Sequence, residues 1–207
     1  LTATPIPRTL QQALVGLKNL TTIKTPPTSR KPINTFVKYF NWSLVFSHIK
    51  KEVNRKGQVY FLYNDIKGIP FVVKKIKDQF PEKTVVGASG KMDSKSLEDV
   101  ILAFFDGSID ILVCTTIIES GLDVTNANTI IIHNAQNFGL AQLYQIRGRV
   151  GRGKRQASCL LLIPHGKKLE KDSYNRLKAI EQNTALGSGH VVSQKDLEIR
   201  GSGSLFG

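Results

Sequence analysis

The chain has 207 residues, 41% hydrophobic and 22% charged, a balance that suits a globular protein with one large or two small cored domains. Lysine and arginine number 29 against 16 acidic residues, a formal charge of +13 that favours a polyanionic partner, most simply nucleic acid. No apolar run approaches the ~20 residues of a membrane span, no secretory segment opens the chain, and no basic amphipathic helix with an aromatic face points to a membrane surface.

Residues 6–19 carry a short helical pattern (Leu10, Leu14, Leu17), with Pro5 and Pro7 near the first turn, where proline is tolerated. Pro26, Pro27 and Pro32 then stand among polar residues and make a stiff linker. Beyond it, strands and helices alternate. Residues 33–39 read as a strand and 43–55 as a helix with Val45, Ile49 and Val53 on one face. Residues 58–63 are a β-rich run, 67–79 a helix with Pro70 in its first turn, and 84–88 a strand. Residues 94–105 are the clearest helix, placing Leu97, Val100, Ile101, Phe104 and Phe105 on one stripe. The apolar runs at 109–114 and 129–133 suit strands buried on both faces of a parallel sheet. A short helix around 140–146 and a strand at 158–163 complete an α/β layer fold: an open, mainly parallel sheet with helices on both faces. Residues 167–183 read as a charged helix with Leu169, Leu177 and Ile180 inward. Glycine and serine density makes 184–207 read as loop, with a short edge strand as an alternative around Asp196–Gly203.

Cys114 and Cys159 sit inside apolar runs and read as core residues of a reducing compartment. No CxxC or His/Cys cluster suggests a metal, and His48, His133, His165 and His190 are scattered. The opening Leu1-Thr2-Ala3-Thr4-Pro5 reads as a strand end, and Gly207 falls in a Gly/Ser-rich loop. Both ends look cut, so the chain reads as a fragment.

The densest chemistry lies in Gln145-Ile146-Arg147-Gly148-Arg149-Val150-Gly151-Arg152. The spacing places Arg149 and Arg152 one helical turn apart behind Gln145, with Gly148 and Gly151 keeping the backbone accessible. Permanently charged, forked donors at that spacing suit a triphosphate; a solvated basic helix face is the bland alternative. Thr115 and Thr116 directly follow a buried strand, where ligands of open α/β sheets bind. Gly121 permits a tight turn there, and Asp123 could hold a loop arginine or a ribose hydroxyl; a plain Asx turn competes. Thr2 and Thr4 offer two small hydroxyls, or cap a strand. Gly87–Lys91 does not fit the phosphate loop, which needs four residues between its glycine and Gly-Lys; it reads as a turn near nucleic acid.

Together these motifs resemble the C-terminal part of superfamily-two helicase motors. The likeness is greatest to the duplex-DNA translocases that couple transcription to repair in bacteria, with branch-migration helicases of the RecG type as near relatives. Residues 1–10 resemble motif III, 58–64 motif IV, 114–123 with 126–132 motif V, 138–152 motif VI, and 167–207 the translocation hairpin and loop. The resemblance implies a RecA-like second lobe at 34–165, a remnant of the first lobe at 1–24, an inter-lobe linker at 25–33 and the hairpin with its loop at 166–207. It implies Arg149 and Arg152 as fingers on the γ-phosphate of ATP and Gln145 as its sensor. Gly121 and Asp123 would line the nucleotide cleft, and Thr115 or Thr116 would touch a DNA phosphate. Thr2 and Thr4 would couple nucleotide state to DNA, and Arg200 would belong to the translocating loop. The phosphate loop and the acidic Mg²⁺ motif would lie upstream, so ATP and Mg²⁺ would be held mainly by the first lobe and this stretch alone would be inactive. Double-stranded DNA, RNA polymerase and an excision-repair protein are the implied partners, the last two through other domains, in a bacterial cytoplasm or a plastid. A non-enzymatic basic DNA-binding module is the alternative from another class.

Overall fold

The computed structural model describes residues 31–116, 124–166, 169–185 and 188–200. Six strands, β1 (Asn34–Tyr39), β2 (Gln58–Leu62), β3 (Val85–Ala88), β4 (Ile111–Cys114), β5 (Ala127–Ile132) and β6 (Ser158–Ile163), form one sheet in the order β1-β6-β5-β2-β4-β3. Every pairing is parallel. All residues of β2, β4 and β5 are buried, as expected of continuous apolar runs covered on both faces.

Alternate side chains build two cores. On one face Val59, Phe61, Val113, Ile131 and Leu160 meet α1 (Trp42–Asn54) and α2 (Ile69–Gln79). On the other, Tyr60, Leu62, Cys114, Ile132 and Leu161 meet α3 (Ser94–Phe105), α4 (Leu140–Arg147) and α5 (Lys171–Gln182). Sequence chemistry sets the helix starts. The Asn41 side chain accepts from the Ser43 N–H at 2.8 Å, Asp93 accepts from the Ser96 N–H at 2.9 Å, and Pro70 occupies the first turn of α2, a position where its missing N–H costs nothing. Val45, Ile49 and Val53 are buried as the periodicity requires.

Two expectations fail. On α3 only Phe104 is buried, while Phe105 is 53% exposed and Leu102 52%. This helix covers the sheet beside β3, a four-residue strand at the edge, so the sheet is too narrow there to bury the whole apolar stripe. Residues 189–200 are neither loop nor edge strand: they form helix α6 (Gly189–Arg200). Its mean hydropathy is low, and it is held by packing against α4 and α5 rather than by propensity.

Helix α5 closes the β1 side, and α6 packs on α4 and α5 behind it. Glu181 of α5 accepts the Val37 N–H at 2.9 Å, covering an edge-strand donor that would otherwise be open to pairing. Arg176 donates to Ser173 Oγ at 2.9 Å and to the Gln136 carbonyl at 3.4 Å, tying the start of α5 to the turn at Ala135–Asn137.

Candidate functional site

The all-parallel sheet gives the molecule two chemically different rims. At the carboxyl rim, Thr115 N–H donates to the Ala88 carbonyl at 3.3 Å, Tyr63 N–H to Cys114 at 2.8 Å and His133 N–H to Leu62 at 3.0 Å. This row of bonds aligns the post-strand residues of β3, β4, β2 and β5. Thr115 is 9% exposed and Thr116 half-buried. Next to them a turn closed by Met92 N–H on the Ser89 carbonyl leaves Gly90 and Lys91 exposed. Gly87 lies where a Cβ would come within 2.7 Å of Ile69, so its role is the close approach of β3 to α2. Tyr63 stacks on His133 with ring centroids 4.6 Å apart, and Phe40 meets His133 edge-on. Burial there holds the His133 imidazole below its ordinary pKa and, with Asp65 nearby, raises the Tyr63 phenol.

The arginine stretch lies at the amino rim. Helix α4 leaves the carboxyl end of β5, crosses the sheet and ends at Arg147, with Gly148 as its cap. Arg149 and Arg152 are therefore beyond the helix, not a helical turn apart on one face of it. The chain tightens through i→i−3 bonds, Arg149 N–H to Ile146 at 3.1 Å and Val150 N–H to Arg147 at 3.4 Å. It then reverses at Gly151, whose φ of 74° lies in the left-handed region that favours glycine. Gly151 is buried rather than accessible: a Cβ would stand 3.0 Å from Ala157 Cβ and 3.2 Å from Ile33. Val150 is fully buried as the anchor, Arg149 and Arg152 are half-buried, and Gln145 is exposed on the last turn of α4. Residues 145–157 contain no acidic side chain and add exposed Lys154 and Arg155. The donor set therefore fits phosphate oxygens and offers nothing to a metal cation. Among the described residues no group of three His, Cys, Asp or Glu side chains could hold a metal ion.

Arg147 was not anticipated. It is 4% exposed, and it donates to the Ile180 carbonyl and the Asn183 carbonyl, both at 2.8 Å, and to Thr35 Oγ1 at 3.5 Å. Its guanidinium lies 5.1 Å from the Tyr144 ring centre, and burial lowers its pKa. It thus caps the last carbonyls of α5 from α4. The available signal was position: 147 follows Leu140 and Leu143 on the buried stripe of α4. Both cysteines are buried; the Cys159 thiol is pushed up to about 12 by desolvation and that of Cys114 higher still, so both are inert core residues. Gly121, Asp123, Thr2 and Thr4 lie outside the described residues. Just after Asp123 in sequence, the carbonyl of Thr125 faces Gly153 in the arginine loop. Arg200 is the last residue of α6 rather than part of a loop.

A parallel α/β lobe with an arginine turn at one rim and a threonine pair at the other defines the class. Residues 42–154 match the helicase conserved C-terminal domain, and the chain belongs to that family. Among its relatives, transcription-repair-coupling factors of Helicobacter pylori (strain J99) and Myxococcus xanthus are 46% and 44% identical over all 207 residues. The chain spans 21% and 17% of their respective lengths. The structure of RecG bound to a three-way DNA junction is 34% identical, with a TM-score of 0.79, covering 97% of this chain and 27% of that one. The S. cerevisiae Dbp5 L327V structure with RNA and ADP BeF3, at 17% identity and a TM-score of 0.62, shares the fold.

Proposed function

We propose that this chain holds the last piece of the first lobe and the linker (1–33), the second lobe (34–165) and the helical hairpin with its loop (166–207) of an ATP-driven motor. In this reading the motor moves on double-stranded DNA, displaces stalled RNA polymerase and brings in excision repair, in the bacterial cytoplasm with the nucleoid. The carrying observation is that 46% identity to a transcription-repair-coupling factor runs across all 207 residues. The helicase-domain match alone ends at residue 154, so the likeness extends through the hairpin.

ATP, when bound between the lobes, supplies the phosphoryl group whose transfer to water drives the cycle. Mg²⁺ would be held by first-lobe residues. The work of this chain is positioning and charge. Arg149 and Arg152 close on the phosphate from the amino rim, where a finger of this kind is worth ~10³–10⁵ in rate. Gln145 orients the attacking water, while Gly121 and Asp123 line the cleft. At the opposite rim Thr115 and Thr116 take DNA phosphates, and Thr2, Thr4 and Arg200 relay closure to the duplex. Because one rigid sheet separates the two rims, rotation that seats the arginines displaces the threonines along the backbone.

The test uses the full-length protein with Arg149→Ala and Arg152→Ala. We expect DNA-stimulated ATPase to fall by about 10³-fold and release of RNA polymerase stalled on a template to stop, with duplex binding retained. Unchanged ATPase would refute the finger assignment. ATP-driven opening of a three-way junction without polymerase release would move the reading to a branch-migration helicase.

A further inference from the structure

The amino rim contains an ion pair, with a buried carboxylate and a half-buried guanidinium, that the roles above leave unused. Glu52, on the last turn of α1, is 1% exposed. Its carboxylate accepts from Arg55 Nε at 3.0 Å, from Arg55 Nη2 at 2.5 Å and from Thr129 Oγ1 at 2.5 Å. Arg55 Nη2 also donates to the Gln156 carbonyl at 2.8 Å. Gln156 Nε2 donates in turn to the Pro32 carbonyl at 2.5 Å. Beside this, Arg155 donates to the Lys56 carbonyl at 3.3 Å and to Asn126 Oδ1 at 3.2 Å. The corner that ends α1 therefore holds the Gln156 carbonyl through Arg55 and takes the Arg155 side chain on the Lys56 carbonyl, at the far end of the loop whose near end is fixed by α4.

We propose that Glu52 and Arg55 are positioning residues for the arginine loop. They fix its distal end so that Arg152 is placed before the lobes meet. The inference rests on the nucleotide-facing role given to that loop above. Three arguments carry it. Val150 and the packing of Gly151 fix the near side of the turn, so the Arg55 hold on the Gln156 carbonyl sets how the stretch from Arg152 to Arg155 is placed. Misplacement of a charge-stabilising group by about 1 Å costs about 10²-fold in rate. An ion pair that buries its carboxylate is a poor source of stability, since a well-packed apolar pair of similar volume does as well. An apolar pair, however, has no donor with which to hold the Gln156 carbonyl.

The experiment compares full-length wild type, Arg152→Ala, Arg55→Ala and the double change Glu52→Gln with Arg55→Met. The double change leaves no buried charge unpaired and keeps an amide for Thr129. The readouts are kcat and KM of DNA-stimulated ATPase, duplex affinity and thermal unfolding. We expect both Arg55 variants to lose up to about 10²-fold in kcat, with KM for ATP and duplex affinity within about twofold. For the double change the melting temperature should match wild type. Wild-type kcat in a folded Arg55 variant overturns the proposal. So does unfolding of both variants, which would assign the pair to stability alone. Should Arg152→Ala itself leave kcat unchanged, the loop's nucleotide role fails, and this inference falls with it; a loss in Arg152→Ala alone rejects only the anchor.

Discussion

At the scale of single residues, the corner after α1 shows how one backbone angle is held by its surroundings. Gly57 N–H returns to the Glu52 carbonyl at 3.1 Å and Lys56 N–H to Val53 at 3.0 Å, the paired bonds of a Schellman cap. The left-handed position of that cap is filled by Lys56 at φ 57°, not by the glycine that normally occupies it. Glycine stands one place later, where a Cβ would fall 1.8 Å from Glu52 Oε1. Packing thus decides the site of the glycine, and Lys56 bears the strain, its carbonyl held by Asn126 at 3.0 Å. Replacing Lys56 by Gly removes a Cβ clash worth about 1 kcal/mol and keeps the carbonyl. We expect it to stabilise the chain by roughly that amount in denaturant unfolding; destabilisation would mean that the lysine side chain contributes more than its strain costs. None of this was legible in the sequence, because the partners of Glu52 and Arg55 include Thr129 and the Gln156 carbonyl, far along the chain. Arg149 and Arg152 stand out in the sequence because the motif that carries them is local, yet the same motif concealed Arg147, whose partners belong to α5 and β1.

At the scale of elements, periodicity identified the helices over sheet-facing positions and the strands over continuous apolar runs. It failed where tertiary cover, not local pattern, decides. Phe105 follows the stripe of α3 but overhangs a narrow sheet edge. Helix α6 forms from a glycine- and serine-bearing stretch because α4 and α5 supply its packing surface. The junction of α4 with α5 depends on Arg147. Arg147→Met keeps the apolar stem but leaves the carbonyls of Ile180 and Asn183 without their charged donor, a loss of about 3 kcal/mol. The loss should be local. Amide hydrogen exchange ought to quicken across the last turn of α5 and in α6, while β2, β4 and β5 stay protected. Uniform loss of protection across the sheet would instead make Arg147 a general core residue and not the tie between motif turn and hairpin.

At the scale of the whole molecule, the proposed reading has the charge of +13 and the two rims divide the work between attraction and placement. Duplex DNA gains affinity when lysines and arginines release its counterions, by about 0.9 in the log–log salt slope for each phosphate neutralised. Hydroxyl contacts release none. The carboxyl rim holds both kinds: exposed Lys91 in the turn after β3, and Thr115 with Thr116 after β4. A lobe making about four cationic contacts would lose about 10²-fold in duplex affinity for a fourfold rise in salt, with little regard to base sequence. Lys91→Ala should flatten the slope by about 0.9. Changing Thr115 and Thr116 together to valine should weaken binding at every salt concentration and leave the slope as it was. Fluorescence anisotropy of a labelled duplex over a salt series separates these cases. A slope that Lys91→Ala does not change would remove the turn after β3 from the DNA path. A slope that the threonine pair does change would mean that their loss displaces cationic neighbours, so that placement and attraction share the same residues.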